Sequence, residues 1–470
     1  MCWRQVWCAA HLNEQGKPPT SPIVNRYPES NVFYRKLNRA FPLMVRGDGC
    51  WLEDAAGKRY LDGSGGAFVA NIGHGVAEIA EAMATQASKL AYVTGAWCTN
   101  EAVEEFATLL AARVPGDLKY VYPLGSGSEA IEAALKLARQ YWVENGRGDK
   151  HKVLSLTPGY HGNTLLALSA SAREHYRALY REWLVEVPGV PAPYSYRCAC
   201  RGLEPRCGAC TGDALEQAIL AHGADTIAAF IAEPVGGSST GASVPSDDYF
   251  RRIREICDRH DVLFVADEVL CGAGRTGRFT AIERYGVVPD LMVVGKGISG
   301  GYAGLSAVVA PAKIVDVIAN GSGALQHAQT YSHHAVACAA GAATLRYLEA
   351  HRLVERCADM APRFHSQLAA LKSLPWVGDV RGTGLLAGIE IVADSDTRAP
   401  FKRSRKFAER VTEYALDSGL IVWPNVGQSV GSDGDVIMLA PPFIINEDEI
   451  GEIVRRLAVA IERTAAEVGK

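Results

Sequence analysis

The sequence predicts an α/β protein with a large domain on a mostly parallel sheet covered by helices, plus a smaller α+β domain. Three observations carry this reading. From about residue 115 to 310, short runs rich in Val, Ile and Phe alternate with longer helical stretches. Strands alternating with helices build a parallel sheet with both faces covered. After about residue 335 the texture changes to long helical stretches and isolated strand-like pieces. Finally, 470 residues amount to roughly three units of about 150 residues, a length that α/β enzymes often divide between one large and one small domain.

The elements follow in order. Residues 1–25 read as a polar, flexible leader, because Met1–Cys8 lacks an apolar signal core and no clear small-residue cleavage site follows. Residues 26–70 are assigned to the N-terminal part of the small domain, with strand-like pieces at Leu43–Val45, Trp51–Asp54 and Arg59–Leu61. The large domain is expected over 71–334. Within it Lys119–Leu124, Lys152–Leu156, Thr226–Ala232, Val262–Ala266 and Leu291–Val294 are strand-like. Ser128–Trp142 and Asp247–Arg259 read as helices, the first with Ile131, Ala134, Leu135 and Ala138 at helical spacing. Residues 335–470 complete the small domain. They comprise a helical stretch from Ala335 to about Leu374, a strand-like piece at Asp379–Ile391, a helix at Lys402–Ser418, and strand-like Leu420–Trp423 and Val436–Pro442.

Bulk composition excludes several classes. The 48 basic and 52 acidic residues give a net charge of −4, without the basic face that a nucleic-acid or membrane-surface protein needs. With 48% apolar residues the chain can bury a core, so disorder is not its main state. No run approaches the roughly 18 apolar residues of a membrane span. No period of 20–50 residues repeats, which argues against a solenoid. The 12 cysteines, without an export signal, read as mostly reduced thiols of a cytoplasmic protein.

In open α/β sheets, ligands gather beyond the carboxyl ends of the strands. Three strand-like runs end there at an ionisable residue: Glu233, Asp267 and Lys296. From position alone, an ordinary ion pair at a strand end explains them equally well. Between a strand and a helix stands Gly125-Ser126-Gly127-Ser128-Glu129-Ala130, whose backbone N–H groups can cradle a phosphate. A dinucleotide would require an acidic residue after the next strand, and Lys152–Thr157 supplies none, so a small phosphate ester fits better. Tyr160, also beyond a strand, could cover a flat ring. A lysine for a Schiff base, an aspartate for a ring nitrogen and a stacking aromatic are what pyridoxal phosphate chemistry asks of a protein.

On these residues the chain resembles the class III (omega) aminotransferases, pyridoxal phosphate enzymes of fold type I. The resemblance covers about residues 40–460 and rests on a combination of motifs. They are Gly125–Ala130, Tyr160-His161-Gly162, Glu233-Pro234, Asp267-Glu268-Val269 with Gly274–Gly277, and Pro289-Asp290. Further along come Gly295-Lys296-Gly297, Thr330-Tyr331-Ser332, Arg381–Leu385 and Ala440-Pro441-Pro442. The resemblance implies pyridoxal 5'-phosphate as cofactor, with Lys296 as its Schiff-base lysine and proton shuttle. Asp267 would pair with the pyridine nitrogen. Ser126, Gly127 and Ser128 would bind the phosphate, Tyr160 and Val269 would cover the two ring faces, and Glu233 would orient the network around the ring hydroxyl. His161 would stand close behind. Thr330 would reach the phosphate of a neighbouring subunit, which implies a homodimer.

Departures from the family pattern bear on the substrate. Members that use α-ketoglutarate carry an Arg where Asn163 stands, and pair a Glu with an Arg at positions that here hold Ser238 and Met438. A second substrate carboxylate then lacks a bidentate partner, which points to the amine–pyruvate branch. Phe68 matches an aromatic of that branch's substrate pocket, and Asn163 joins it there. The sequence leaves open whether a flexible arginine elsewhere, such as Arg398 or Arg403, serves substrate carboxylates. His333 and Ala335 replace a Gly and a Pro of the pattern, which leaves the local backbone open.

Cys198, Cys200, Cys207 and Cys210 fall within 13 residues of an insertion at about 190–212. Four thiols so spaced could hold a tetrahedral zinc or form disulfides. No aminotransferase step needs a metal, so free thiols are the reading taken and no metal is assigned. Adjacent His333 and His334 point different ways and make a poor metal pair. The expected function is transfer of an amino group from a primary amine or ω-amino acid to a keto acid, pyruvate above α-ketoglutarate, by ping-pong half-reactions. An aminomutase or decarboxylase on the same fold is the first alternative, and a non-catalytic cofactor-binding regulator the second.

Overall fold

The computed structural model describes residues 25–428 and 432–468. The leader expected over 1–25 lies, apart from Asn25, outside the described residues. The central sheet has seven strands in the order Leu118–Leu124, Ser306–Pro311, Leu291–Val294, Leu263–Glu268, Ile227–Ala232, Lys152–Thr157, Gly189–Pro191. The last five pair in parallel. Every residue of Ile227–Ala232, Leu263–Glu268 and Leu291–Val294 is buried, as expected for parallel strands covered on both faces.

Ser306–Pro311 is a strand that the sequence reading did not assign. It runs antiparallel between Leu118–Leu124 and Leu291–Val294. Only Val308 and Val309 in it favour a strand, flanked by Ser, Ala and a terminal Pro, and burial on both faces supplies what the short apolar run lacks.

The helix Gly127–Glu144 shows why the covering layer forms. Ser126 caps it, accepting from the N–H of Glu129 at 3.4 Å. Its interior holds no glycine or proline, and it buries Ile131, Leu135, Leu137 and Trp142 against the sheet. Each large side chain so buried contributes about 1.5–3 kcal/mol.

The long helical stretch expected from Ala335 is two helices, Ala335–Ala350 and Leu353–Leu368, followed by a tight turn at Ala369–Ser373. Arg352 breaks them with φ +50°. The first packs on Ala77–Lys89 and Glu101–Ala111, two helices that the sequence reading also left out; the second packs on Glu447–Val468. The chain must change direction to reach both partners.

The N-terminal strands Met44–Asp48, Trp51–Asp54 and Arg59–Asp62 form an antiparallel set whose last member pairs in parallel with Leu420–Ile421. Another four-stranded antiparallel sheet orders Val377–Thr383, Leu386–Ile391, Asp435–Leu439 and Trp423–Val426. Among the described residues no helix is long and apolar enough to cross a membrane.

Asp435 is buried at the head of its strand, accepting from the N–H of Ala408 at 3.0 Å. Burial pushes its carboxyl up to about 7. A carboxyl raised on folding contributes stability that is full below its unfolded value and fades as pH climbs through its folded value. Asn would keep the acceptor and stay neutral. In paired denaturant titrations, Asp435→Asn should gain on the parent by on the order of 2–4 kcal/mol between about pH 4 and 8. A difference that does not change with pH would contradict this.

Candidate active site

The register of the parallel strands sets Ala232 beside Ala266 and Asp267 beside Val293. Glu233, Asp267 and Lys296 therefore emerge on one edge of the sheet. Asp267 is buried, with Oδ2 at 2.7 Å from His161 Nδ1 and Oδ1 accepting from the N–H of Val269 at 3.1 Å. His161 Nε2 is buried without a partner. Glu233 accepts from the N–H groups of Gly237 (2.9 Å) and Tyr160 (3.3 Å) and from the Ser239 hydroxyl (2.6 Å). Burial pushes its carboxyl up. Burial pushes the Lys296 ammonium down, opposed by the charges of Asp267 and Glu233. Lys296 itself holds φ +46°, a backbone conformation that non-glycine residues adopt at a cost of about 1–3 kcal/mol and that clusters at functional sites.

Gly127 and Ser128 open the helix Gly127–Glu144, where free N–H groups and the helix dipole favour an anion. The approach is close: a Cβ on Gly127 would lie 2.9 Å from Val269 Cγ1, and one on Gly162 would lie 2.5 Å from Ser128 Oγ. Ser128 Oγ accepts from the N–H of Asn163 at 3.1 Å and lies 2.9 Å from its Oδ1. Asn163 thus ties the loop after Tyr160 to the helix start, and it also lines a cavity.

That cavity measures about 620 Å³ and reaches from Lys296, Tyr160 and Gly162 out to an aromatic rim. Phe68 lines it with φ +66°, its ring centroid 5.5 Å from that of Trp423. Tyr176, Tyr180 and Trp183 complete the rim. Thr330 is not among the residues lining it; it is exposed, its carbonyl accepting from Tyr92 Oη at 3.0 Å. His333 takes φ +58°, the left-handed conformation in which glycine is at ease, and His334 Nδ1 caps helix Ala335–Ala350 through the N–H of Ala337.

Arg173 is the functional candidate that sequence reasoning missed. It lines the cavity at 3% exposure, and no carboxylate holds it. Nη1 donates to the carbonyl and hydroxyl of Ser238 at 2.8 and 3.2 Å, Nη2 to the carbonyl of Val426 at 3.0 Å, and Nε has no partner. Burial pushes its guanidinium down. Nothing in Ser169-Ala-Ser-Ala-Arg173 marks the arginine as buried; only the long-range contacts to Ser238 and Val426 do. Arg398, one of the two arginines left open by the sequence, is engaged elsewhere. It donates to the carbonyl of Tyr196 at 2.8 Å and is absent from this lining. Arg403 pairs with Glu409 and lines an adjoining cleft that shares Arg35, Tyr176 and Trp423 with this one.

The residues present suit a phosphorylated pyridine aldehyde. A buried lysine and carboxylates of opposite sign share one strand edge, and glycines leave room for a phosphate at a helix start. The fold and site define a pyridoxal phosphate-dependent transferase of fold type I. The chain belongs to the class III aminotransferases, the family described as Aminotransferase class-III matching residues 33–461. It is 38% identical over 420 residues to an uncharacterized aminotransferase of Bacillus subtilis, covering 89% of this chain and 94% of the relative. Relatives of similar identity differ in acceptor. A putrescine–pyruvate aminotransferase of Pseudomonas aeruginosa is 33% identical, covering 93% of this chain and 94% of that one. A diaminobutyrate–2-oxoglutarate transaminase of Halomonas elongata is 35% identical, covering 90% of each. The crystal structure of the omega transaminase from Pseudomonas jessenii in complex with PMP superposes with a TM-score of 0.84 at 32% identity, covering 92% of this chain and 94% of that chain.

Gly162→Ala tests the cradle, because the added Cβ meets Ser128 Oγ and φ is +138°. Overpacking of this kind costs about 1–3 kcal/mol. Cofactor affinity, read by titrating the cofactor-free protein, should fall about tenfold or more. Unchanged affinity would separate Ser128 from the phosphate site.

Proposed function

We propose that the chain transfers an amino group from a primary amine or ω-amino acid to a keto acid, with pyruvate preferred to 2-oxoglutarate, in a ping-pong cycle. The observation that carries the acceptor assignment is Arg173, a buried cation on the cavity wall whose neighbours are neutral oxygens. A buried charge without an opposite partner is costly, and a substrate carboxylate would supply one. Ser238 stands where 2-oxoglutarate users of this family carry a glutamate, so among the described residues no carboxylate pairs directly with Arg173. Apart from Lys296, Asn163 and Ser238 the rest of the wall is aromatic or aliphatic, and Arg35, the other arginine lining it, is exposed. One strong carboxylate site favours a monocarboxylic acceptor.

Pyridoxal phosphate supplies an aldehyde that condenses with amines and a ring that takes up electron density. Lys296 is the amine that anchors the aldehyde; its burial favours the neutral form needed to attack and later to carry a proton at Nζ. Asp267, fixed by His161 and the N–H of Val269, presents its carboxylate to the ring nitrogen. Ser126, Gly127 and Ser128 cradle the phosphate, Tyr160 and Val269 cover the ring, and Glu233 fixes the backbone of Tyr160. Phe68 and Asn163 shape the substrate end. We further assign a homodimer in which Thr330 reaches the partner's phosphate. Its exposed neighbours Tyr92 and Tyr331 suit a covered interface. A cytoplasmic home fits the reduced thiols expected from the sequence.

The test is the visible spectrum of the holoenzyme titrated with a primary amine and no acceptor. The long-wavelength band should bleach and return with pyruvate, and return far less with 2-oxoglutarate. A band that never bleaches would favour a mutase, a decarboxylase or a silent binder. Lys296→Ala should abolish turnover while leaving the melting temperature near that of the parent. Arg173→Leu should raise the pyruvate KM roughly ten- to a hundredfold, the range expected for a charge-assisted hydrogen bond, while sparing the half-reaction of a carboxylate-free amine. Equal loss in both half-reactions would remove Arg173 from acceptor recognition.

A further inference from the structure

The fold gathers the four cysteines of the insertion into one cluster. The Sγ atoms of Cys198, Cys200, Cys207 and Cys210 all lie within 4.8 Å of one another. Cys198 is 3.4 Å from Cys200 and 3.2 Å from Cys210; Cys200 is 3.4 Å from Cys207 and 3.6 Å from Cys210. A tetrahedral ion with Zn–S bonds near 2.3 Å places its sulfurs about 3.8 Å apart. Two disulfides would instead divide the four into separate pairs, whereas here Cys200 stands near all three others.

No apolar core explains the gathering. Between Ser195 and Ala209 no residue is buried, and Leu203 is 70% exposed. The backbone is nevertheless bent around the sulfurs. Arg201 and Gly202 turn through positive φ (+52° and +74°) directly after Cys200, and Cys207 starts the short helical turn that carries Cys210. Both ends are anchored in other parts of the fold. Arg197 holds the buried Glu390 at 2.7 Å, and Arg206 holds Asp248 at 2.8 Å. A segment with anchored ends and no core of its own gains most from a cross-link at its centre.

We propose that Cys198, Cys200, Cys207 and Cys210 form a structural tetrathiolate zinc site that staples this insertion, with no part in amino-group transfer. Each thiol gives its proton to solvent as its Zn–S bond forms, so one Zn²⁺ with four thiolates leaves a charge of −2. Arg201, directly after Cys200 and in no salt bridge among the described residues, is placed to offset part of it. Sulfur-only tetrahedral ligation selects zinc or iron over hard cations, and four protein ligands close the site to substrate.

The experiment uses the full-length holoenzyme, expressed with added zinc and freed of loose metal. Metal content by mass spectrometry should be about one zinc per chain in the parent and in Cys98→Ser, which alters an exposed thiol outside the cluster. The Cys200→Ser/Cys207→Ser double variant should hold less than a tenth of that. On the parent itself, a strong chelator should release the zinc and open Arg197, Arg201 and Arg206 to trypsin, with protection restored by zinc alone. Iron in place of zinc would overturn the assignment. So would a denatured mass four hydrogens light, which means two disulfides, or four free thiols without metal. All these readouts are independent of transamination, so they stand or fall apart from the proposed activity.

Discussion

The parallel register of Ile227–Ala232, Leu263–Glu268 and Leu291–Val294 is the constraint on which the site depends. Strands side by side and in step deliver Glu233, Asp267 and Lys296 to one edge. Burial alone would make each of these charges expensive. Here the costs oppose one another: burial lowers the Lys296 ammonium while Asp267 and Glu233 raise it. The backbone donors on Asp267 and Glu233 hold the carboxylates still, so the lysine is the member of the group free to change partners. A slip of one residue between strands would turn these side chains to opposite faces.

Arg173 illustrates how a single neighbour decides what a buried charge is for. A glutamate at 238 would close an internal ion pair. The serine present offers a carbonyl and a hydroxyl, which satisfy hydrogen bonds without neutralising the charge. The guanidinium also lies over the ring of Tyr176 at 5.2 Å, a favourable but partial compensation. In the proposed reading, the remaining deficit is what an acceptor carboxylate supplies.

Glu390 ties the antiparallel sheet of Leu386–Ile391 to the insertion. Fully buried, it receives Arg197 at 2.7 Å, Arg381 at 2.7 Å and the hydroxyl of Tyr194. Arg381 also donates to the Thr240 carbonyl at 2.7 Å. Removing either arginine would leave a buried charge undercompensated, a loss that commonly costs about 3–5 kcal/mol. This network and the cysteine cluster sit within a few residues of each other along the chain, so order in one supports order in the other.

The sequence by itself determined the α/β class, because apolar runs of strand length alternating with amphipathic helices report burial directly. It also determined Glu233, Asp267 and Lys296 as candidates, since each terminates such a run, and the phosphate loop, since Gly127 and Ser128 precede a strong helix. It did not reveal the strand Ser306–Pro311, whose Val308-Val309 pair is too short a run to stand out and becomes a strand between two neighbours. Nor did it reveal the break at Arg352, which follows from the directions of two packing partners. Arg173, the engagement of Arg398 with Tyr196, and the meeting of four cysteines were decided by tertiary structure alone. Each depends on contacts between residues far apart in the chain or on a backbone bent through positive φ, and local periodicity carries no information about either.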